Sequence, residues 1–304
     1  MGNLTIKQLR YFEALALHGH FGHAANACAI SQPALSLQIK ELETQLGVIL
    51  FERGSRQVRL TTFGEDFANR VRHILRSVEE LQDLARASRD RLSGRLRIGV
   101  IPTIAPYLLP TIISSLKRIS GDLDIHVRET MTSNLIQELT EGRIDTAIVA
   151  LPVSEPSFTE VGLFSENFVL VRPNSDAGKP VPDGETLRNM RLLLLEEGHC
   201  FRDQALSFCN IQTASTGGGL DGTSLSTLVQ MVSVGIGVTL IPDMAIRLET
   251  GSAAVSVARF EHPEPSRTIG MIWRKTSPLV QQLMQVAEIV QQSAESQRAS
   301  QSKT

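Results

Sequence analysis

Ser31-Gln32-Pro33 starts a helix in which Leu35, Ile39, Leu42 and Leu46 recur at spacings of four, three and four, and nothing else limits residues 1–60 so tightly. Ser31 is a favourable N-cap, and Pro33 falls in the first turn, where its missing N–H loses no bond. An apolar stripe of that period needs a core beneath it and leaves Gln32, Ser36 and Lys40 together on a polar face. Gly47 ends the helix. Before it, Ile6, Leu9, Phe12, Leu15 and Leu17 predict a first helix that breaks near Gly19 and Gly22. A second short helix spans about Gly22 to Cys28, with Ala24, Ala25 and Ala27 small enough for another helix to cross closely. After it, Phe51-Glu52-Arg53 and Gln57-Val58-Arg59-Leu60 flank Gly54-Ser55-Arg56, a hairpin whose Arg53 and Arg56 can reach phosphates or the minor groove. Two helices joined by a tight turn, the second presenting Gln, Ser and Lys, suit insertion into a major groove, with the hairpin as a wing. A plain helical bundle explains the stripe but not the hairpin.

Charge decides what form such a contact takes. The 304 residues carry a net charge of −2, which excludes a basic coat, whereas residues 1–60 hold six Lys or Arg against four Glu. DNA contact must come from a local patch. No apolar run approaches the roughly 20 residues of a membrane span, and the N-terminus lacks a signal-peptide pattern, so a cytoplasmic protein without a membrane partner is expected. Three cysteines, Cys28, Cys200 and Cys209, are too few for a disulfide scaffold and lack zinc-site grouping, so no metal and no cofactor are expected. Cys28, in the helix pair, reads as a packing residue.

From Phe63 to Ala85, the residues Phe63, Phe67, Val71, Ile74, Val78, Leu81 and Ala85 recur at spacings of three and four. A seam averaging about 3.5 residues favours a two-helix coiled coil, and a homodimer formed there would present two reading helices to a two-fold DNA site. A helix packed on its own domain is the alternative.

The rest alternates. Strands are expected at Arg95–Ile101, Leu123–Glu129 and Asp145–Leu151, with helices at Tyr107–Ile119 and Leu135–Glu141. A second unit starts near Val161, with strands at Phe168–Arg172, Arg191–Leu195 and Val238–Ile241 and a helix at Leu225–Val234. A late strand at Thr268–Arg274 and a final helix at Leu279–Gln292 precede a polar tail that reads as disordered. Such alternation implies α/β lobes built on parallel sheet, with sites beyond the strand C-termini at Ile101-Pro102-Thr103 and Glu129-Thr130-Met131-Thr132. The domains are then 1–62 for the winged helix-turn-helix, 63–93 for the linker helix and 94–304 for a regulatory domain. Lobe I takes about 94–164 and 268–292, and lobe II about 165–267.

The segment Gly198-His199-Cys200-Phe201-Arg202-Asp203-Gln204-Ala205-Leu206-Ser207-Phe208-Cys209 has the composition of a helix start. If it is helical throughout, its cysteines stand about 13.5 Å apart along the axis and about 180° around it. A disulfide needs Cα atoms within about 7 Å, so a bond there would require unwinding. A helix N-terminus, His199 and Arg202 each favour a thiolate at Cys200, Asp203 opposes it, and Cys209 lies in an apolar stretch. Two unrelated core cysteines are the alternative.

Three stretches carry a resemblance. Phe21-Gly22-His23-Ala24-Ala25, Ile30-Ser31-Gln32-Pro33-Ala34-Leu35-Ser36 and Leu50-Phe51-Glu52-Arg53 are similar to the LysR-type transcriptional regulators. The cysteine segment, together with Pro106-Tyr107-Leu108-Leu109-Pro110 and Glu264-Pro265-Ser266-Arg267-Thr268-Ile269-Gly270, resembles the hydrogen-peroxide-sensing branch of that family. The resemblance implies DNA contact by Gln32, Pro33, Ser36 and Arg53, a dimerising linker, and two lobes of the type II periplasmic-binding-protein fold. Ser31, Lys40 and Arg56 complete the expected DNA-binding set. It further implies Cys200 as the peroxidatic cysteine and Cys209 as the resolving one, with a peroxide pocket of Thr103, Thr132, His199, Asp203 and Arg267. Expected partners are double-stranded DNA, hydrogen peroxide, further copies up to a homotetramer, and RNA polymerase. Two departures stand out. Leu37 occupies a position where many members have arginine, and a leucine suits a thymine methyl instead. Asn210 to Gly222, with Gly217-Gly218-Gly219, leaves the family pattern, either to ease refolding or as an insertion-tolerant surface. Two other functions are a regulator of the same family that binds a small metabolite in the cleft, and a thiol peroxidase.

Overall fold

The computed structural model describes residues 4–53, 58–87, 92–209 and 221–301. The chain divides into two compact units, Met1–Ser88 and Arg89–Thr304.

In the first unit, α1 (Ile6–His18), α2 (Phe21–Ala27) and α3 (Gln32–Leu46) precede a hairpin of β1 (Phe51–Arg53) and β2 (Val58–Leu60), then α4 (Thr62–Ala87). Thr5 and Gln8 form a reciprocal capping box at the start of α1, and Gly19, at φ 59°, ends it. Ser31 accepts the Ala34 N–H at 3.4 Å and Pro33 sits in the first turn, as the sequence predicts. Leu35, Ile39 and Leu42 are buried with Phe12, Leu15 and Phe51 in one core, each fully buried side chain contributing roughly 1.5–3 kcal/mol. The same core takes Ala68, Val71 and Leu75 of α4. The expected linker seam is therefore split. Val71 packs inward with Ala68 and Leu75, which the stripe omits, while Phe63, Ile74 and Leu81 are exposed. A helix that must serve its own domain first turns inward whichever side chains reach that core.

The second unit holds β3 (Gly94–Val100), α5 (Ala105–Ile119), β4 (Leu123–Glu129), α6 (Thr132–Thr140), β5 (Thr146–Leu151) and the long β6 (Phe158–Pro173). There follow α7 (Gly184–Arg188), β7 (Leu192–Leu195), α8 (Cys200–Phe208), β8 (Asp221–Gly222), α9 (Leu225–Ser233) and β9 (Val238–Pro242). Last come α10 (Ile246–Thr250), β10 (Val255–Arg259), β11 (Ser266–Arg274) and α11 (Val280–Gln301). Among the described residues the strands join in the order β4-β3-β5-β11-β6-β9-β7-β8, with β10 also on β6.

The sheet is mixed, where alternation implied a parallel one. β3 is parallel to β4 and β5, and β7 to β8 and β9. β6 and β11 run antiparallel to each other and to their other neighbours. The chain leaves the first lobe along β6 and returns along β11, so β11 runs against β3, β4 and β5, and β6 against β7, β8 and β9. The first half of β6 pairs with β11, and the second half, from Phe168, pairs with β9.

The tail is a second correction. α11 continues past Gln292 to Gln301, Ser293 and Ala294 are buried, and Ser293 donates to Ser115 of α5 at 3.1 Å. Small residues let α11 approach α5 closely, which a count of polar residues does not register.

Candidate functional site

On α3, the Ser31 hydroxyl is committed to its cap, Gln32 and Lys40 are exposed and Ser36 is half-buried. Glu43 links this helix to the hairpin by accepting the Leu50 and Phe51 N–H groups at 2.9 and 3.2 Å. Arg53 ends β1 opposite Val58. Arg56 lies outside the described residues. This bridging role of Glu43 is not visible in the sequence, because the N–H groups it accepts from lie beyond the turn.

In the second unit, the apolar run of β7 is buried, and the chain then turns at Gly198, φ 94°, into α8. A side chain there would strain the backbone and strike the Met131 sulfur, so glycine brings the start of α8 against the start of α6. His199 is the N-cap, Cys200 the first helical residue and Cys209 the C-cap. The helix buries Phe201, Arg202, Ala205 and Leu206. Cys200 is half-buried, Cys209 is fully buried, and both are free thiols. With the span between them helical, they sit at opposite ends of α8, beyond bonding reach.

Burial pushes the Cys209 thiol from its usual 9.0 up to about 11. Between those values the folded protein holds a proton that the unfolded chain has released. Stability present below about pH 9 is therefore lost as pH rises toward 11. Unfolding midpoints in urea at pH 8 and pH 10.5 should fall more steeply for wild type than for Cys209→Ala, and parallel slopes would contradict this burial.

Two of the aids expected for Cys200 are absent. Burial lowers the His199 pKa from 6.5, so the ring is neutral at pH 7. The Arg202 guanidinium turns to the Leu195 carbonyl at 2.6 Å and to Asp221 at 3.0 Å. The helix N-terminus remains.

Around this turn lies a cavity of about 350 Å³ lined by Thr103, Tyr107, Glu129, Met131, His199 and Glu249, among others. Arg267 donates to the Thr103 hydroxyl at 2.8 Å and to its carbonyl at 3.0 Å, pairs with Glu166 at 2.9 Å, and stands 5.2 Å from the Phe201 ring centroid. Thr132 places a buried hydroxyl that has no partner among the described residues. Of the expected pocket residues Thr103 and His199 line the cavity; Arg267 lies behind Thr103 and against Phe201, and Thr132, exposed Asp203 and Cys200 itself are outside the lining. Glu166 and the Tyr107–Glu249 hydrogen bond (2.6 Å) escaped the sequence reading. Burial and Glu249 raise the Tyr107 pKa, keeping the phenol protonated. Among the described residues no cluster of His, Cys, Asp or Glu could hold a metal ion, and no helix is long and apolar enough to cross a membrane.

A model of the LysR substrate binding domain matches residues 89–294, and one of the bacterial regulatory helix-turn-helix protein, lysR family, matches 6–65. The chain belongs to the LysR family. This LysR-family chain is 40% identical over 289 residues to the DNA-binding transcriptional dual regulator OxyR of Escherichia coli (strain K12), covering 94% of this chain and 95% of that one. Among solved structures, full-length OxyR from Pseudomonas aeruginosa, a cysteine-to-aspartate variant, matches with TM-score 0.75 and 35% identity over 95% of each chain. A cysteine-to-serine variant of Corynebacterium glutamicum OxyR, with H₂O₂ bound, matches with TM-score 0.68 and 35% identity over 98% of this chain and 95% of that one. The LysR-family assignment accounts for both units: a winged helix-turn-helix with its α4, and a two-lobed α/β domain.

Proposed function

We propose that this chain is a DNA-binding transcription regulator that senses hydrogen peroxide through Cys200 and Cys209. The observation that carries the reading is α8 itself: one short helix holds a half-buried thiol at its first residue and a fully buried one at its cap. The Cys200 thiolate attacks one peroxide oxygen, the O–O bond breaks, and hydroxide leaves to take up the thiol's proton as water. Cys200 becomes a sulfenic acid. The Thr103 hydroxyl accepts from Arg267, which leaves its own proton to donate to peroxide. Thr132, neutral His199 and the exposed Asp203 supply further polar groups. Cys209 sulfur then attacks the Cys200 sulfur, a second water leaves, and a disulfide forms. Two thiols have lost two electrons, and peroxide has become two waters.

That bond cannot close across intact α8, so oxidation unwinds the helix. The regulator works in the cytoplasm as a homodimer joined through the exposed residues of α4, and dimers pair into a homotetramer. Its outputs are a two-fold DNA site, read by Ser31, Gln32, Pro33, Ser36, Lys40, Arg53 and Arg56, and RNA polymerase at the promoter. The domain division is residues 1–62, 63–93 and 94–304. Footprints of the full chain on selected operator DNA should change on peroxide treatment and revert with dithiothreitol. A footprint that stays the same while the bridge forms would refute the coupling.

A second reading, a small metabolite as effector, draws on the cavity of about 350 Å³ beside Tyr107 and Glu249, within the size range of ligand pockets. A thiol peroxidase would have no use for α3 and would turn peroxide over at rates independent of DNA.

A further inference from the structure

Leu37 lies outside the core of its unit. It is 56% exposed, whereas Leu35, Ile39 and Leu42 of the same helix are at most 1% exposed. At 100° per residue it projects about 170° from the mean direction of Leu35, Ile39, Leu42 and Leu46, straight away from the core. Ser36 and Lys40 lie beside it on the side of Gln32, and among the described residues none of these three side chains has a hydrogen-bond or ion-pair partner. Gln38, by contrast, is tied to Glu41 at 2.7 Å, and Thr44 returns its hydroxyl to the Lys40 carbonyl at 2.8 Å. The outer ridge of α3 therefore carries one apolar side chain, Leu37, with unengaged Lys40 on the side of Gln32 and Ser36 and with Glu41, held by Gln38, on the other. Of the base edges in a major groove, only thymine offers a methyl group.

We propose that Leu37 is a specificity-determining residue that reads thymine by packing on its 5-methyl group in the major groove. This rests on the reading of α3 as the helix that enters DNA. Leucine there discards water from both surfaces, and the polar neighbours fix the register in which it meets the base.

The test uses the full chain to select sites from a random duplex pool. Each thymine of the enriched site is then replaced by uracil, which lacks only the methyl group. At one thymine per half-site the uracil duplex should bind wild type about fourfold more weakly, the worth of one buried methyl. Leu37→Ala should bind the thymine and uracil duplexes equally, and Leu37→Met should keep the preference. An enriched site at which no uracil weakens wild type, or at which Leu37→Ala loses as much as wild type, overturns the proposal and leaves DNA reading intact. A pool from which nothing is enriched overturns DNA reading, and this inference with it.

Discussion

Full-length Cys200→Ser protein is expected to give one and the same DNA footprint at every peroxide dose, where wild type changes over completely. Serine keeps the size and the helix start, so α8 stays folded and DNA affinity in the reduced state is unaltered. What disappears is the nucleophile. Cys209 cannot substitute, since it is fully buried and its proton is held until about pH 11. The companion variant Cys209→Ser should stop one step later, with a sulfenic acid on Cys200 that a dimedone-type reagent captures and no bridge. A graded peroxide response in Cys200→Ser would remove the thiol from the mechanism and favour an effector in the neighbouring cavity.

Arg267→Ala is expected to cost about 3–5 kcal/mol of stability, read from urea unfolding of the full chain, the largest loss for any single polar residue of the site. The Arg267 side chain is 0% exposed and its partner Glu166 1% exposed, so truncation removes a cation paired directly with a buried carboxylate. It also strips the Thr103 hydroxyl and carbonyl of their donor, and the Phe201 ring of its cation. Glu166 keeps the Met244 N–H, which donates to it at 3.0 Å. The pair joins β6 to β11, the two strands that carry the chain between the lobes, so the loss should spread across the regulatory domain. Glu166→Leu combined with Arg267→Met should recover most of the stability, because well-packed apolar side chains replace a buried pair at little cost. A loss under about 1 kcal/mol for Arg267→Ala would show that water reaches Glu166, and that the interior here is less closed than the packing indicates.

The DNA-binding unit was legible in the sequence because its signals are local. A cap, a first-turn proline, a stripe of period 3.6 and glycines at φ 59° and 71° place α1 and α3 within a residue or two of their observed bounds. The strands of the second unit were legible as strands. Their directions were not, since β6 and β11 are set antiparallel by pairings about a hundred residues apart in sequence. β10 went unread because Val255–Arg259 is a short strand whose first residues are half-buried, and its partner lies on distant β6. Cys200 and Cys209 stand out through the resemblance their segment carries, whereas Glu166, Tyr107 and Glu249 acquire meaning only from partners 101 and 142 residues away. The seam of α4 shows the limit from the other side. Periodicity found the helix but not which residues its own domain would claim first.

Peroxide is expected to join Cys200 to Cys209. Mass spectrometry of the full chain, treated with stoichiometric peroxide, alkylated and digested without reduction, reads that bond. The expected product is a single cross-linked peptide containing both residues, reversible by dithiothreitol and absent from untreated protein. Peroxide-treated protein in which Cys209 remains fully alkylated while the DNA footprint changes would contradict the switch.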